Sequence, residues 1–340
     1  MRRVWRAAAA AALALAVAAG CTRAGDARGE LPPSASAAAP RGPQDRPQPA
    51  GQQFYVSADG SAALQAEALR REGRTDEARE LDRIADRPAA LWLGGPDAAA
   101  KAERLTRLAA AAGRTALLVA YDIPHRDCGQ YSAGGAADAA AYRAWIADVA
   151  AGIGDRPAWV VLEPDAVAHT LDGCVRGALA DERYGLLADA VRELGRRPRV
   201  RVYLDAGNAG WVKEPDRMAD ALRRSGVRDA DGFAVNVANF YTTADSAAYG
   251  RRVSRGLGGA RFVIDTSRNG NGPLGGTEWC NPPGRALGDA PTTRTGLEGV
   301  DAYLWIKNPG ESDGQCRPGA PAPGRFWTEY ALDLVRNARR

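Results

Sequence analysis

Histidine is scarce in this chain. The 340 residues include two, His125 and His169, and no H-E-x-x-H or similar spacing. That excludes the common helical zinc site. There is no G-x-S-x-G, so a serine-hydrolase elbow is unsupported. No glycine-rich nucleotide fingerprint follows the first apolar run, and Gly94-Gly95 alone is too short to be one. Excess charge of one sign is missing as well. The net charge is +4, but without Arg2, Arg3 and Arg6 there are 42 basic residues against 41 acidic ones, which is not the basic footprint of a nucleic-acid binder. The longest apolar run, residues 7–19, is too short for a membrane span.

That run belongs to an expected export signal over residues 1–21. Three arginines precede it, and it ends V-A-A-G-C. The ending is similar to a lipobox, with Cys21 as the acylated residue, although Ala18 stands where leucine is commonest. Cleavage as an ordinary signal peptide is the alternative. Residues 22–52 are rich in Pro, Ala and Gly and nearly free of large apolar side chains. They cannot bury enough surface to fold and are expected to be a tether. The folded catalytic domain is expected over 53–340.

Within it, apolar runs alternate with helical patterns. Strands are expected at Ala90–Leu93, Ala116–Ile123, Trp159–Leu162, Val200–Leu204, Phe233–Val237, Phe262–Ile264 and Ala302–Ile306. Helices are expected at Ala62–Ile84 with a break near Gly73, Asp97–Ala112, Ala136–Ile153, Ala178–Leu194, Pro215–Ser225, Ser246–Gly256 and Trp327–Arg336. The alternation predicts an α/β fold, a parallel seven-stranded barrel or near-barrel with helices outside. Residues 265–300 carry no period, and an insertion of that length in a compact domain is usually functional.

Carboxylates collect where these strands end. The second strand runs into Tyr121, Asp122 and Asp127. The third stops at Glu163-Pro164-Asp165, because proline offers no N–H to a sheet. Asp205 and Asn208 follow the fourth strand, Asn236 and Asn239 the fifth, Asp265 the sixth, and Lys307, Glu311 and Asp313 the seventh. In α/β folds this edge builds active sites. Crowded carboxylates resist joint ionisation, which keeps one of them protonated near neutral pH. Such acid/base equipment suits glycoside hydrolysis, with metal binding by the same carboxylates as the alternative chemistry. Eight Trp and ten Tyr against five Phe supply the aromatics with polar edges that sugar clefts use. His169 is read as an ordinary polar loop residue.

Five cysteines fit an exported protein. If Cys21 is lipidated, four remain and three pairings are open. Cys128–Cys174 would join the loops of Asp127 and Asp165. Cys280–Cys316 would join the insertion to the loop of Asp313. Each would contribute about 2–4 kcal/mol.

The motifs Y-D-I-P-H-R-D-C-G-Q-Y-S-A-G-G, V-V-L-E-P-D, Y-L-D-A-G-N-A-G-W, N-V-A-N-F, F-V-I-D-T-S-R-N-G-N-G, E-W-C-N-P-P-G-R-A-L-G and A-Y-L-W-I-K-N-P-G-E-S-D-G closely resemble family six of the glycoside hydrolases, the inverting cellulases. The resemblance runs from about Phe54 to the C-terminus. It implies a distorted seven-stranded parallel β/α barrel, hydrolysis of β-1,4-glucan with inversion, and no metal or organic cofactor. It makes Asp165 the general acid and Asp127 the modulator of that acid and relay for the water's proton. It makes Tyr121 the residue that favours ring distortion and Asp313 the proposed base. Trp92, Asp205, Asn208, Trp211, Asn239, Trp279, Lys307 and Glu311 fall at substrate-binding positions, and the cysteine pairs agree with those above. Two departures stand out. Asn208 replaces a common histidine, and Gly314 and Gln315 separate Asp313 from Cys316 more widely than the family does. The expected partners are cellulose and cello-oligosaccharides, with no nucleic acid. Membrane contact is expected only through the lipid on Cys21, on the outer face of the bacterial membrane, and the chain is expected to be a monomer. A folded region under 290 residues, with modest loops at 128–135 and 268–300, leaves little room for a roof. An open cleft and endo action are therefore favoured over a cellobiohydrolase tunnel or a non-catalytic glucan-binding lipoprotein.

Overall fold

The computed structural model describes residues 53–275 and 278–338. The export signal, the lipidation of Cys21 and the tether therefore lie outside the described residues. Among the described residues no helix is long and apolar enough to cross a membrane.

Seven strands form one parallel sheet in sequential order: β1 Leu91–Leu93, β2 Ala116–Ala120, β3 Ala158–Leu162, β4 Val200–Asp205, β5 Gly232–Val235, β6 Phe262–Asp265 and β7 Val300–Leu304. The helices are α1 Ser61–Arg71, α2 Thr75–Ala85, α3 Ala98–Ala111, α4 Ala139–Ile153, α5 Ala168–Leu171, α6 Ala178–Gly195, α7 Pro215–Arg224, α8 Thr243–Gly256 and α9 Thr328–Asn337. No ladder joins β1 to β7, so the barrel is incompletely closed. The seam is bridged by Ala90 N–H on the Trp305 carbonyl (2.9 Å) and by the Trp92 indole on the Ile306 carbonyl (2.8 Å).

The period-two pattern of the strands explains the layers. In β3 every residue is buried. Trp159 and Val161 point inward with Leu117, Val119, Tyr203, Val263 and Leu304. Ala158, Val160 and Leu162 point outward to the helices. Inside the barrel, Trp159 meets Phe54 edge-on at 5.1 Å and Tyr203 at 5.3 Å. Local chemistry sets the helix ends. Asp138 caps α4 by accepting from Ala141 N–H at 2.8 Å, Thr242 caps α8, and Pro215 opens α7, where no N–H is required.

Several boundaries differ from expectation: α4 begins at Ala139 rather than Ala136, α8 at Thr243 rather than Ser246, and β5 ends at Val235 rather than Val237. β2 ends at Ala120 rather than Ile123, because the amides of Asp122 and Ile123 turn to the Glu163 carboxylate instead of a strand. β7 lies two residues earlier than expected, since Val300 pairs with Phe262. The short α5, directly after Asp165, was not expected. The 265–300 insertion is anchored rather than loose: Thr292 and Tyr303 exchange two backbone bonds of 2.9 Å, and Gly270 N–H reaches the Ala286 carbonyl at 3.1 Å.

Helices α3 and α4 pack together at Gly152, where an added Cβ would lie 2.4 Å from the Ala99 carbonyl oxygen. In an isolated helix Gly152→Ala would gain about 1 kcal/mol. Here overpacking should outweigh that gain and destabilise the fold by about 1–2 kcal/mol, measured by urea denaturation. Equal or higher stability would show that the two helices are free to part.

Candidate active site

At the carboxyl ends of the strands the chain leaves the sheet, and its amides lose their ladder partners. Three buried carboxylates replace them. Glu163 accepts from Asp122 N–H (3.0 Å) and Ile123 N–H (3.1 Å). Asp205 accepts from Asp165 N–H (2.9 Å) and Gly207 N–H (3.1 Å). Asp265 accepts from Ala238 N–H (2.9 Å), Ser267 N–H (2.9 Å) and Lys307 N–H (3.0 Å). Two of the residues held this way, Asp165 and Ala238, adopt unusual backbone. Among the described residues, positive φ at a non-glycine occurs at His125, Asp127, Cys128, Glu163, Asp165, Asn236, Ala238 and Asn281. All lie in segments that follow β2, β3, β5 or β6. Such conformations cost on the order of 1–3 kcal/mol each and persist only where the surroundings impose them.

Above these carboxylates opens a cleft of about 820 Å³. It is lined by Trp92, Tyr121, Asp127, Asp165, Asn208, Trp211, Asn239, Trp279, Lys307, Glu311 and Asp313, so residues from six strands or the segments that follow them, and from the insertion, are brought together. Asp205 is the exception. It was expected among sugar-binding groups, but it is 1% exposed and does not line the cleft. It lies behind Asp165, with one oxygen committed to backbone amides.

The electrostatics divide the carboxylates. The Asp165 carboxyl is pushed well above the ordinary range, first by burial and then by the charges of Asp205, Asp127 and Asp172. Burial also raises Asp127, although Ser132 N–H donates to it at 2.6 Å. Asp313 goes the other way. Burial alone would raise it, but Arg268 and Lys307 outweigh burial and lower its pKa. Arg268 Nη1 donates to it at 2.9 Å, Asn281 N–H donates at 3.0 Å, and Lys307 Nζ lies 3.5 Å away. Asn281 Oδ1 accepts from Asp313 N–H at 2.8 Å. The wide Asp313–Cys316 spacing therefore leaves Asp313 on the cleft.

Neighbouring groups set the aromatic walls. Tyr121 meets Trp92 edge-on at 5.2 Å, and Arg126 lies 4.7 Å over the Tyr121 ring. The Trp211 indole donates to Asp172 at 3.0 Å. Asn208 Oδ1 accepts from Gly210 and Trp211 N–H, both at 3.1 Å, so this side chain shapes the Trp211 turn. Glu311 accepts from Ser61 at the start of α1 (2.9 Å), and burial raises its pKa.

Disulfides join Cys128 to Cys174 and Cys280 to Cys316. The first ties the segment after β2 to the segment after β3. The second ties the insertion to the Asp313 loop. Cys128, Cys174 and His169 are the one group among the described residues whose donor atoms lie close enough to share an ion. Two of those donors are already spent on the disulfide. No three rim carboxylates among the described residues converge in this way, so the metal alternative finds no carboxylate cage.

Several site groups were not singled out from sequence. Arg268, in the insertion, is fully buried against Asp313, with Phe240 4.4 Å beneath it; nothing in its local pattern marks a buried arginine. His169 is not a plain loop residue: it is buried, packs edge-on against Trp211 at 5.0 Å, and is pushed down to about 4 by burial. Tyr131 lines the cleft and meets Trp279 at 6.1 Å. Its place directly after Cys128-Gly-Gln was the available signal. Asp172, Tyr241 and Glu278 also line the walls.

The sequence model described as "Glycosyl hydrolases family 6" matches residues 49–338. Endoglucanase A of Cellulomonas fimi is 46% identical over 292 residues, covering 84% of this chain and 61% of that protein. Endoglucanase 1 of Streptomyces halstedii is 43% identical over 313 residues, covering 89% of this chain and 94% of that protein. The chain thus spans less than two thirds of the first relative and nearly all of the second. A solved structure of the endoglucanase Cel6 from Mycobacterium tuberculosis, in complex with methyl-cellobiosyl-4-deoxy-4-thio-β-D-cellobioside, superposes with a TM-score of 0.79 at 44% identity. It covers 85% of this chain and 98% of that one.

The buried staples carry a pH signature. Burial raises the Glu163 carboxyl from 4.5 to about 7 against the opposing pull of its amide donors. The folded state thus binds its proton more tightly than the unfolded chain does. The stability this group lends is full below about pH 4.5 and is lost as pH rises through about 7. Glu163→Gln removes the titration. Its destabilising cost, read by urea denaturation, should shrink across that window by up to on the order of 3 kcal/mol. A cost independent of pH would show that the Glu163 pKa is not raised.

Proposed function

The chain belongs to family 6 of the glycosyl hydrolases, and on that premise we propose that it is an exported endo-β-1,4-glucanase that inverts the anomeric configuration. One observation carries the reading. A single cleft holds Asp165, buried beside Asp205, Asp127 and Asp172, which push its carboxyl pKa up, and Asp313 against Arg268 and Lys307, which push its pKa down. Carboxyl groups pushed apart in this way mark an acid and a charge stabiliser.

In the proposed reaction Asp165 donates its proton to the glycosidic oxygen as the bond to the anomeric carbon breaks. A water on the opposite ring face attacks that carbon and passes its proton to ionised Asp127, directly or through a second water. Acid and base in an inverting enzyme stand about 6.5–9.5 Å apart to admit the water. Arg268 and Lys307 lower the pKa of Asp313, which disfavours Asp313 as the main proton acceptor. Its fixed negative charge instead favours the oxocarbenium-like transition state. Tyr121, pressed between Trp92 and Arg126, offers a rigid surface beneath the distorted ring. Trp92, Trp211 and Trp279 give the sugar faces to stack on, and Asn239, Lys307 and Glu311 give hydrogen-bonding groups.

Endo action is supported by the two relatives, both endoglucanases, and by short loops beside the cleft. The Tyr131–Trp279 contact is the feature that favours partial enclosure and a cellobiohydrolase. We take the protein to be exported and anchored through Cys21, a reading that rests on the N-terminal sequence alone.

An endo enzyme should drop the viscosity of a soluble β-1,4-glucan well before reducing ends accumulate. Proportional change would favour exo action, and no change would remove the hydrolase reading. The first product seen by NMR should be the α-anomer; early β-anomer would exclude inversion.

Asp165→Ala should slow glucan hydrolysis about 10²–10⁴-fold with the circular dichroism spectrum unchanged. Wild-type turnover in that variant would remove Asp165 as the acid.

A further inference from the structure

The loops that carry Asp127 and Asp165 leave different strands, and neither has a regular backbone. His125, Asp127, Cys128 and Asp165 all have positive φ. Something must fix the distance between these loops. On the cleft side the Cys128–Cys174 disulfide does so. Away from the cleft, the Arg183 side chain of α6 touches both.

Arg183 is 3% exposed. Its Nη2 donates to the carbonyls of Pro124 (2.7 Å) and His125 (3.0 Å), and Nη1 reaches the Ala166 carbonyl at 3.5 Å. His125 lies two residues before Asp127, and Ala166 directly follows Asp165. A guanidinium is planar, with donors at fixed separation, so it sets a spacing where a single ammonium would only attract. Glu163 completes the clamp. It takes the amides of Asp122 and Ile123 while Arg183 takes the carbonyls of Pro124 and His125. A buried carboxyl group and a buried guanidinium thus hold the same turn by its two kinds of backbone group. Arg183 does not line the cleft.

We propose that Arg183 is a positioning residue that sets the separation of Asp127 from Asp165 without touching substrate. The proposal rests on the acid and relay roles given above. The groups facing the Asp165 carboxyl are Asp205 beyond β4, Asp127 beyond β2 and Asp172 beyond β3, with Tyr121 beside them. Asp127 helps hold Asp165 protonated, so a loop that drifts away weakens this coupling. The pH at which Asp165 loses its proton then falls. Removing the Arg183 charge, taken alone, acts in the opposite direction.

The experiment compares Arg183→Lys and Arg183→Met with the wild-type protein on soluble β-1,4-glucan, recording kcat and KM against pH. Both variants should lower kcat about tenfold or more, as expected of a misplacement near 1 Å or less, with KM within about twofold. In Arg183→Lys, which keeps the charge, the alkaline limb of the kcat profile should move to lower pH. The limb is read only over the pH range in which circular dichroism shows the variant fully folded, so loss of folded enzyme at higher pH does not mimic the shift. The lysine variant keeps the charge and packs most conservatively, which provides a readable case if the methionine variant folds poorly. In Arg183→Lys an alkaline limb that stays in place, or moves upward, would overturn the proposal. So would a kcat within twofold of wild type in Arg183→Lys. If the wild-type protein itself fails to cleave glucan, the functional reading fails rather than the role of Arg183.

Discussion

The site depends on buried carboxylates accepting amides that the sheet has released. A parallel strand that stops leaves N–H groups pointing into a low-dielectric rim, and an unpaired buried amide costs on the order of 1–3 kcal/mol. Glu163, Asp205 and Asp265 meet that need at the ends of β3, β4 and β6. Each bond also joins neighbouring loops. Glu163 binds amides beyond β2, Asp205 binds one beyond β3, and Asp265 binds amides beyond β5 and β7. The rim is thereby a continuous structure, and the strained backbone at Asp165 and Ala238 is held by those same bonds.

This arrangement has an electrostatic consequence. The carboxylate that fixes the Asp165 backbone also sits close to its side chain. Burial and the Asp205 charge together oppose ionisation of Asp165. Backbone support and part of the raised pKa of Asp165 therefore come from one residue. Across the cleft the opposite solution is built. Asp313 is as deeply placed, but Arg268 stands against it and Lys307 beside it, and two cations outweigh the loss of water. Two buried aspartates in one cleft thus have their pKa values pushed in opposite directions by their neighbours, which suits the acid-assisted cleavage proposed above.

Covalent bonds reinforce this pattern without creating it. The two disulfides attach the least regular segments, one around Asp127 and one within the insertion, to segments already fixed by hydrogen bonds. The insertion is ordered by its own ties to β7 and by the burial of Arg268 and Asn281. It delivers Trp279 to one wall of the cleft and the counter-charge of Asp313 from below.

Much of this was legible in the chain itself. Alternating apolar runs and helical patterns are local properties, so seven parallel strands and the principal helices could be read from periodicity. Proline after Glu163 marked the end of β3, and long motifs around Tyr121, Asp165, Asp205 and Asp313 identified the rim. What sequence alone left open depends on partners distant along the chain. It did not separate Asp205, a buried support, from Asp165, a cleft residue, because both are aspartates just past a strand. It did not show that Arg268 would neutralise Asp313, that His169 would pack on Trp211, or that β2 would stop at Ala120 to give its next amides to Glu163. Residue type and spacing decide which groups arrive at the rim. Burial and the neighbours met there decide which of them are charged, which face substrate and which only hold the others in place.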